Sequence, residues 1–221
     1  MANDKSFKIK NGLSVGTRYL QTGGTETAGS EGYSPAGATY DNKSFSVSTQ
    51  EISPSGIAFK TDGTKMYILG RDNPITRLGG IINQYTLGTA WDVSTASYDS
   101  VNFDSYSQDT SPYSLYITSD GTKFYTMGNT TDTVYQYSMS TAWDMSTASY
   151  ASKSFSVSSQ ATNPRGLVLN PNGNKLYVSD TASDAIYQYT LSTAFDVSTA
   201  SYDSVSFSVA SEDLTPHNMI F

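Results

Sequence analysis

Residues 163–202 read NPRGLVLNPNGNKLYVSDTASDAIYQYTLSTAFDVSTASY, and most of this stretch occurs twice upstream and begins again before residue 221. Aligning the copies places Tyr85, Tyr137 and Tyr189 in one column and Trp91, Trp143 and Phe195 in a second. A third column holds Phe45, Phe103, Phe155 and Phe207. The spacing is 52 residues except from Phe45 to Phe103, where it is 58. The six extra residues fall where Arg71–Ile82, RDNPITRLGGII, replaces the shorter Asn129–Val134, so they constitute a loop insertion into a repeat protein.

Within each copy the pattern is that of short strands. Gly56–Phe59, Ser114–Ile117 and Gly166–Leu169 each follow a proline and precede Asp62-Gly63, Asp120-Gly121 or Asn172-Gly173. Asp-Gly and Asn-Gly pairs tolerate the positive φ of two-residue hairpins, so the first two strands of each unit are expected to pair antiparallel. Second strands are expected at Lys65–Leu69, Lys123–Met127 and Lys175–Ser179, and third strands around Gln84–Leu87, Gln136–Met139 and Gln188–Leu191. The phrases GTAWDVSTASY, STAWDMSTASY and STAFDVSTASY follow, in which Asp and Ser read as turn formers and Trp or Phe as a plug between units. A fourth strand ends at Phe103, Val157 or Val209, and helical periodicity is absent. Four antiparallel strands per period of this length describe a β-propeller blade, so the fold class is all-β, a propeller-like array of about three complete repeats.

The boundaries follow from the repeat: residues 1–37 stand outside it and read as a short strand or hairpin followed by a Gly/Thr/Ser-rich linker, and residues 38–221 carry repeats at about 40–98, 98–150 and 150–202 with a partial copy at 202–221. A leading fourth strand at Tyr40–Val47 and a trailing first strand at Pro216–Phe221 flank the complete units. Three blades do not close a ring, so the expectation is that the chain is the N-terminal part of a longer propeller, or that closure occurs across subunits as a homo-oligomer.

The formal charge is −7, with +3 on residues 1–20 and −10 on the rest. An acidic body is a poor phosphate binder, which argues against nucleic acid as a partner. No cysteine occurs, no apolar run is long enough to span a membrane, and Met1 opens on polar residues without a secretory h-region. Hydrophobic residues make up 37% and aromatics 13%, enough for a folded domain. Tyrosine, with 17 copies, suits half-exposed strand faces.

No catalytic constellation, cofactor motif or metal-ligand spacing is present. His217 is the single histidine, and its column holds Ser55, Tyr113 and Arg165, a variable position at a loop edge. The aspartates Asp92, Asp99, Asp144, Asp196 and Asp203 read as turn formers, since Asp99 becomes Ala151 in the next copy. Variation concentrates in the loops after the second strands, and Arg71, Asn73 and Arg77 of the insertion form the expected contact surface. The six columnar aromatics Trp91, Trp143, Phe195, Tyr85, Tyr137 and Tyr189 are the expected blade-packing residues.

From Tyr40 onward, Pro164-Arg165-Gly166-Leu167 with Asn172-Gly173-Asn174-Lys175-Leu176-Tyr177-Val178 resembles the YVTN-type propeller repeat of surface-layer and extracellular proteins. The leader Phe7-Lys8-Ile9-Lys10-Asn11-Gly12-Leu13-Ser14-Val15 resembles the opening of virion structural and fibre proteins of tailed bacteriophages, especially phages of marine cyanobacteria. That second resemblance implies an anchor through Phe7, Ile9, Leu13 and Val15 to other virion proteins, and a propeller displayed toward a host-surface glycan or protein, more on the tail than on the head. Two alternatives stay open: a capsid decoration or head fibre protein, and a secreted or cell-surface bacterial propeller, carbohydrate-binding or lactonase-like.

Overall fold

The computed structural model describes residues 39–71, 73 and 79–219, together with the backbone of two short strands nearer the N-terminus. The chain divides into two units, residues 1–42 and 43–221. In the first, β1 (Leu13–Val15) pairs antiparallel with β2 (Arg18–Leu20), Leu13 opposite Leu20. Leu13 and Val15 thus lie on β1, whereas Phe7 and Ile9 lie outside the described residues.

The second unit contains three four-stranded antiparallel sheets, each in sequence order. Blade 1 is β3 (Pro54–Phe59), β4 (Lys65–Gly70), β5 (Ile81–Leu87) and β6 (Ala96–Asp104). Blade 2 is β7 (Pro112–Ile117), β8 (Lys123–Gly128), β9 (Thr133–Met139) and β10 (Ala148–Ser156). Blade 3 is β11 (Pro164–Leu169), β12 (Lys175–Asp180), β13 (Ala185–Leu191) and β14 (Ala200–Ser208). These are the blades of the propeller-type array that the repeat predicts.

Local chemistry sets the turns. Gly63, Gly121 and Gly173 have φ of 73°, 68° and 68°, so the first hairpin of each blade uses the left-handed conformation glycine permits. Onto each turn folds the aromatic of the repeated phrase: the amides of Trp91, Trp143 and Phe195 donate to the carbonyls of Gly63, Gly121 and Gly173. In keeping with the absence of helical periodicity, the helical content of each unit is one 3-10 turn, at Val93–Thr95, Met145–Thr147 and Val197–Thr199. The cause is an N-cap, since the Asp92, Asp144 and Asp196 carboxylates accept from the amides of Ser94, Ser146 and Ser198.

Three differences from the sequence reading concern strand ends. β5 starts at Ile81, so the insertion ends at Gly80 rather than Ile82, because apolar Ile81 and Ile82 are buried in the ladder. The flanking segments Tyr40–Val47 and Pro216–Met219 have no ladder partner among the described residues, and a strand exists only when its backbone groups are paired.

The apolar core lies between blades. One cluster joins Tyr67, Leu69 and Ile82 of blade 1 to Leu115, Phe124, Tyr137, Trp143 and Met145 of blade 2. Another joins Tyr125, Met127 and Val134 of blade 2 to Leu167, Leu176, Val178, Tyr189 and Val197 of blade 3. Each fully buried side chain of this kind contributes about 1.5–3 kcal/mol, so neighbours stabilise one another. Polar latches repeat with the same offset. The Tyr67 hydroxyl donates to the Trp143 carbonyl at 2.6 Å and that of Tyr125 to the Phe195 carbonyl at 2.9 Å. The amides of Met145 and Val197 donate to the side-chain oxygens of Gln84 and Gln136 at 2.9 and 3.0 Å. Tyr67→Phe is therefore expected to cost about 1–3 kcal/mol by orphaning a buried carbonyl, read as a lower denaturant midpoint at unchanged slope.

A bulge in the outer strand aims Asp99 and Asp203 at the middle of the blade. Asp203 accepts from Lys175 at 2.7 Å, Gln188 at 2.7 Å and Thr190 at 2.5 Å. Burial works to raise its pKa, but Lys175, Thr190 and Gln188 outweigh it and hold Asp203 at about 2. A carboxylate depressed in the folded state contributes stability that is complete above its ordinary pKa of about 4 and disappears as pH falls through the folded value. The melting temperature is therefore expected to fall between pH 4 and 2, and Asp203→Asn should flatten that part of the profile.

Candidate functional site at one end of the inner strands

The innermost strands β3, β7 and β11 are neighbours, and their side chains line a cavity of about 460 Å³. Its wall is apolar in the middle, with Ile57, Leu115, Leu167 and Val168. At one end stand the first residues of the inner strands together with the last residues of the second strands, because Pro54 pairs with Gly70, Pro112 with Gly128 and Pro164 with Asp180. The loops after the second strands leave from this same end, while the Asp-Gly turns and the aromatic phrases occupy the opposite one.

The column Ser55, Tyr113, Arg165 and His217 is therefore gathered at this end. The Ser55 hydroxyl donates to the Pro112 carbonyl at 2.9 Å, tying blade 1 to blade 2, and the Ser179 hydroxyl donates to the carbonyl of exposed His217. Arg71, the first residue of the insertion, turns inward. Its Nη1 donates to the Tyr113 hydroxyl at 2.6 Å and its Nη2 to Ser53 Oγ at 3.1 Å, with its guanidinium carbon 4.3 Å from the Tyr113 ring centre. The guanidinium carbon of Arg165, from blade 3, lies 3.7 Å from the same ring centre. One half-buried tyrosine thus engages two guanidinium groups from two other blades, at cation–π distance. Burial would raise the Tyr113 hydroxyl, but Arg165 and Arg71 outweigh it and hold it below the ordinary tyrosine range.

Among the described residues two donors here are unused: Arg71 Nε and Arg165 Nη1 are buried without a hydrogen-bond partner. Among the described residues neither arginine has a carboxylate within ion-pair distance, whereas Lys43, Lys60, Lys65, Lys153 and Lys175 each pair with an aspartate. Elsewhere on this end Asp132 is raised by burial and by Asp180 and Asp109. Asn73 donates to the Gln50 carbonyl at 3.1 Å, which fixes the start of the insertion against blade 1, and Arg77 lies outside the described residues. No group of three or more His, Asp or Glu side chains is placed to hold a metal ion among the described residues.

The backbone beside Arg71 is held by a carboxylate whose source changes from blade to blade. Glu51 accepts from the amide of Ser53 at 2.7 Å, and Asp109 accepts from that of Ser111 at 2.7 Å. In blade 3 the equivalent amide, of Asn163, donates at 2.6 Å to Asp180, which stands in the column of Gly70 and Gly128, while Ala161 replaces the loop acid. Asp213, in the partial fourth copy, again accepts from the amide of Thr215 at 2.8 Å.

The columnar aromatics sit elsewhere. Tyr137 and Tyr189 are fully buried between blades, Tyr85 is fully buried between blade 1 and the segment carrying Phe45 and Val47, Trp143 stacks toward Tyr67 at 6.2 Å, and Trp91 is 59% exposed. In the sequence Arg71 stands out within the insertion, and Tyr113 and Arg165 share one variable column with nothing to join them to it. The signal available was the change of that column from Ser to Tyr to Arg to His, against constancy in the buried columns.

No family profile and no characterised protein matches the sequence. Similar solved structures are known. A Bacteroides fragilis protein named as a 6-phosphogluconolactonase superposes with a TM-score of 0.50 at 15% identity, over 71% of this chain and 39% of that one. The periplasmic gluconolactonase of Pseudomonas aeruginosa gives 0.49 at 16% identity, over 71% of this chain and 40% of that one. Saccharomyces cerevisiae Sqt1 gives 0.47 at 14%, over 72% and 36%. The chain thus spans about two fifths of the length of these structures, and at 15% identity the likeness to the Bacteroides fragilis structure establishes the β-propeller-type fold alone.

Proposed function

We propose that this chain is a non-enzymatic binding protein that displays a propeller-type domain, and that its setting is the virion of a tailed phage. Residues 1–37 join it to other virion proteins, and the end of the blades carrying Arg71, Tyr113 and Arg165 faces a glycan or protein of the host surface. The observation that carries the binding reading is the distribution of variation among the copies. The fully buried column Tyr85, Tyr137 and Tyr189 keeps one residue type, while the column Ser55, Tyr113, Arg165 and His217, next to the constant prolines at the inner-strand starts, changes residue in every copy. Positions released from packing on a rigid scaffold are where ligands are recognised. The apolar middle of the cavity supports binding over hydrolysis, because lactone opening calls for acid–base groups beside the reacting carbonyl. The virion setting rests on the resemblance of Phe7–Val15 to phage leaders, with a tail position preferred to a head decoration.

A second reading, a cell-surface or secreted bacterial propeller with lactonase-like activity, is favoured by the name of the Bacteroides fragilis structure. Immunogold labelling with antibody against Asn163–Tyr202 separates the settings. Gold on tails or fibres is the expected result; gold over heads moves the protein to decoration, and unlabelled particles overturn the virion setting. Hydrolysis of 6-phosphogluconolactone by the purified protein above the spontaneous rate would overturn the non-enzymatic reading.

A further inference from the structure

Resting on the reading of this end as a binding face, we propose that Arg71, Tyr113 and Arg165 form a recognition site for an oxyanion, the carboxylate or sulfate group of an acidic polysaccharide. Buried polar groups in folded proteins nearly always have partners, so two buried guanidinium nitrogens without one, on adjacent side chains, mark a place where an acceptor is missing. Guanidinium groups present their donors in a planar fork suited to carboxylate, sulfate and phosphate oxygens. Two of the four arginines in the chain meet at one ring, and the described lysines that form ion pairs are already engaged with aspartates. Two cations brought together in an acidic protein, with no carboxylate in ion-pair distance of either among the described residues, repel each other until an anion enters.

The scaffold positions both arginines before any ligand arrives. Ser53 Oγ and the Tyr113 hydroxyl hold the two Nη groups of Arg71, leaving Nε to turn toward an acceptor. Arg165 rests flat enough against Tyr113 for its guanidinium carbon to lie 3.7 Å from the ring centre, which stabilises the charge while leaving Nη1 for the ligand. The Tyr113 hydroxyl accepts from Arg71 Nη1 and is held below its usual range by the two cations, which ties both arginines to one side chain. The acceptor therefore meets donors from blades 1 and 3 mounted on a ring of blade 2, so recognition depends on the assembled array and on no single repeat.

The test is binding of the full chain to immobilised polygalacturonate and dextran sulfate, with neutral dextran as control, at about 20 and 300 mM salt. Expected is retention on one or both anionic polymers that weakens with salt, with none on dextran. Polygalacturonate alone identifies a carboxylate site and dextran sulfate alone a sulfate site. Arg165→Gln and Arg71→Gln should each weaken retention about tenfold or more, the scale of a lost charge-assisted hydrogen bond, while melting temperatures stay near that of the wild type. Arg165→Lys keeps the charge without the fork and should restore only part of the affinity. Failure of the wild type to bind either anionic polymer, together with a fall in melting temperature in Arg165→Gln, would reduce the cluster to inter-blade glue and overturn the proposal. Retention that is indifferent to both glutamine variants would also overturn it. Salt-insensitive binding to a neutral glycan, lost on mutating Tyr113 but not Arg165, would overturn the oxyanion site and leave the binding face intact.

Discussion

Tyr137→Ala is expected to destabilise the chain by about 3–5 kcal/mol, the range for removing a large aromatic from a packed core. Tyr137 is fully buried and stacks on Phe124 with ring centres 4.6 Å apart and planes 5° from parallel. The Phe103 ring of the preceding blade meets both edge-on, at 5.3 and 5.5 Å. This trio is the centre of the contact between blades 1 and 2, and alanine leaves a void there that backbone ladders on either side keep from collapsing. Tyr137→Phe keeps the rings and loses the hydroxyl's weak interactions, a long hydrogen bond accepted from Thr126 at 3.4 Å and one with Ser105, so it should stay within about 1.5 kcal/mol of the wild type. Phe207 stands in the column of Phe103 and is 67% exposed; Phe207→Ala should cost less than about 0.5 kcal/mol. Urea unfolding of the three variants checks the order. Equal effects of Tyr137→Ala and Phe207→Ala would mean that the blades do not depend on each other.

Gly70→Asp is expected to be the second most damaging change, at about 3 kcal/mol or more, and Glu51→Ala is expected to rescue it. A Cβ built at Gly70 would lie 1.6 Å from Glu51 Oε2, and the nearest atoms it meets all belong to that one side chain. The aspartate would therefore collide with a buried carboxylate and place a second negative charge beside it. Glu51→Ala alone should cost about 1–3 kcal/mol, because the Ser53 amide loses its acceptor. With both changes, blade 1 takes the arrangement of blade 3, where Ala161 leaves room and Asp180 reaches the amide of Asn163. The double variant should recover at least half of the loss, and the remainder reflects the Ser183 amide and hydroxyl that also donate to Asp180 in blade 3. A double variant as unstable as the sum of the two singles would show that the two carboxylate positions are not interchangeable. The segment concerned carries Ser53 and leads into Arg71, so the same pair tests how firmly the proposed anion site is mounted.

Much of the fold is legible in the residues because its determinants are local. Asp-Gly pairs set the hairpins, the Asp-x-Ser of each phrase sets a capped turn, and alternating apolar residues set which face of each strand is buried. The 3-10 turns escaped a periodicity argument because a three-residue turn has no period to detect, and Ile81 and Ile82 were assigned to the insertion because an apolar pair beside Gly79-Gly80 reads equally as loop or strand. The exchange of an acid between the columns of Glu51 and Gly70 is visible in the aligned copies only once those columns are known to touch.

The sequence by itself determined the repeat, the four strands of each blade and the turn chemistry between them, since these follow from preferences acting over a few residues and are printed three times. Only the tertiary structure decided that Arg71, Tyr113 and Arg165, each from a different blade, meet at one ring with two donors to spare. That convergence depends on how the buried aromatics rotate one blade against the next, and rotation between sheets is a property of packing that no single repeat encodes.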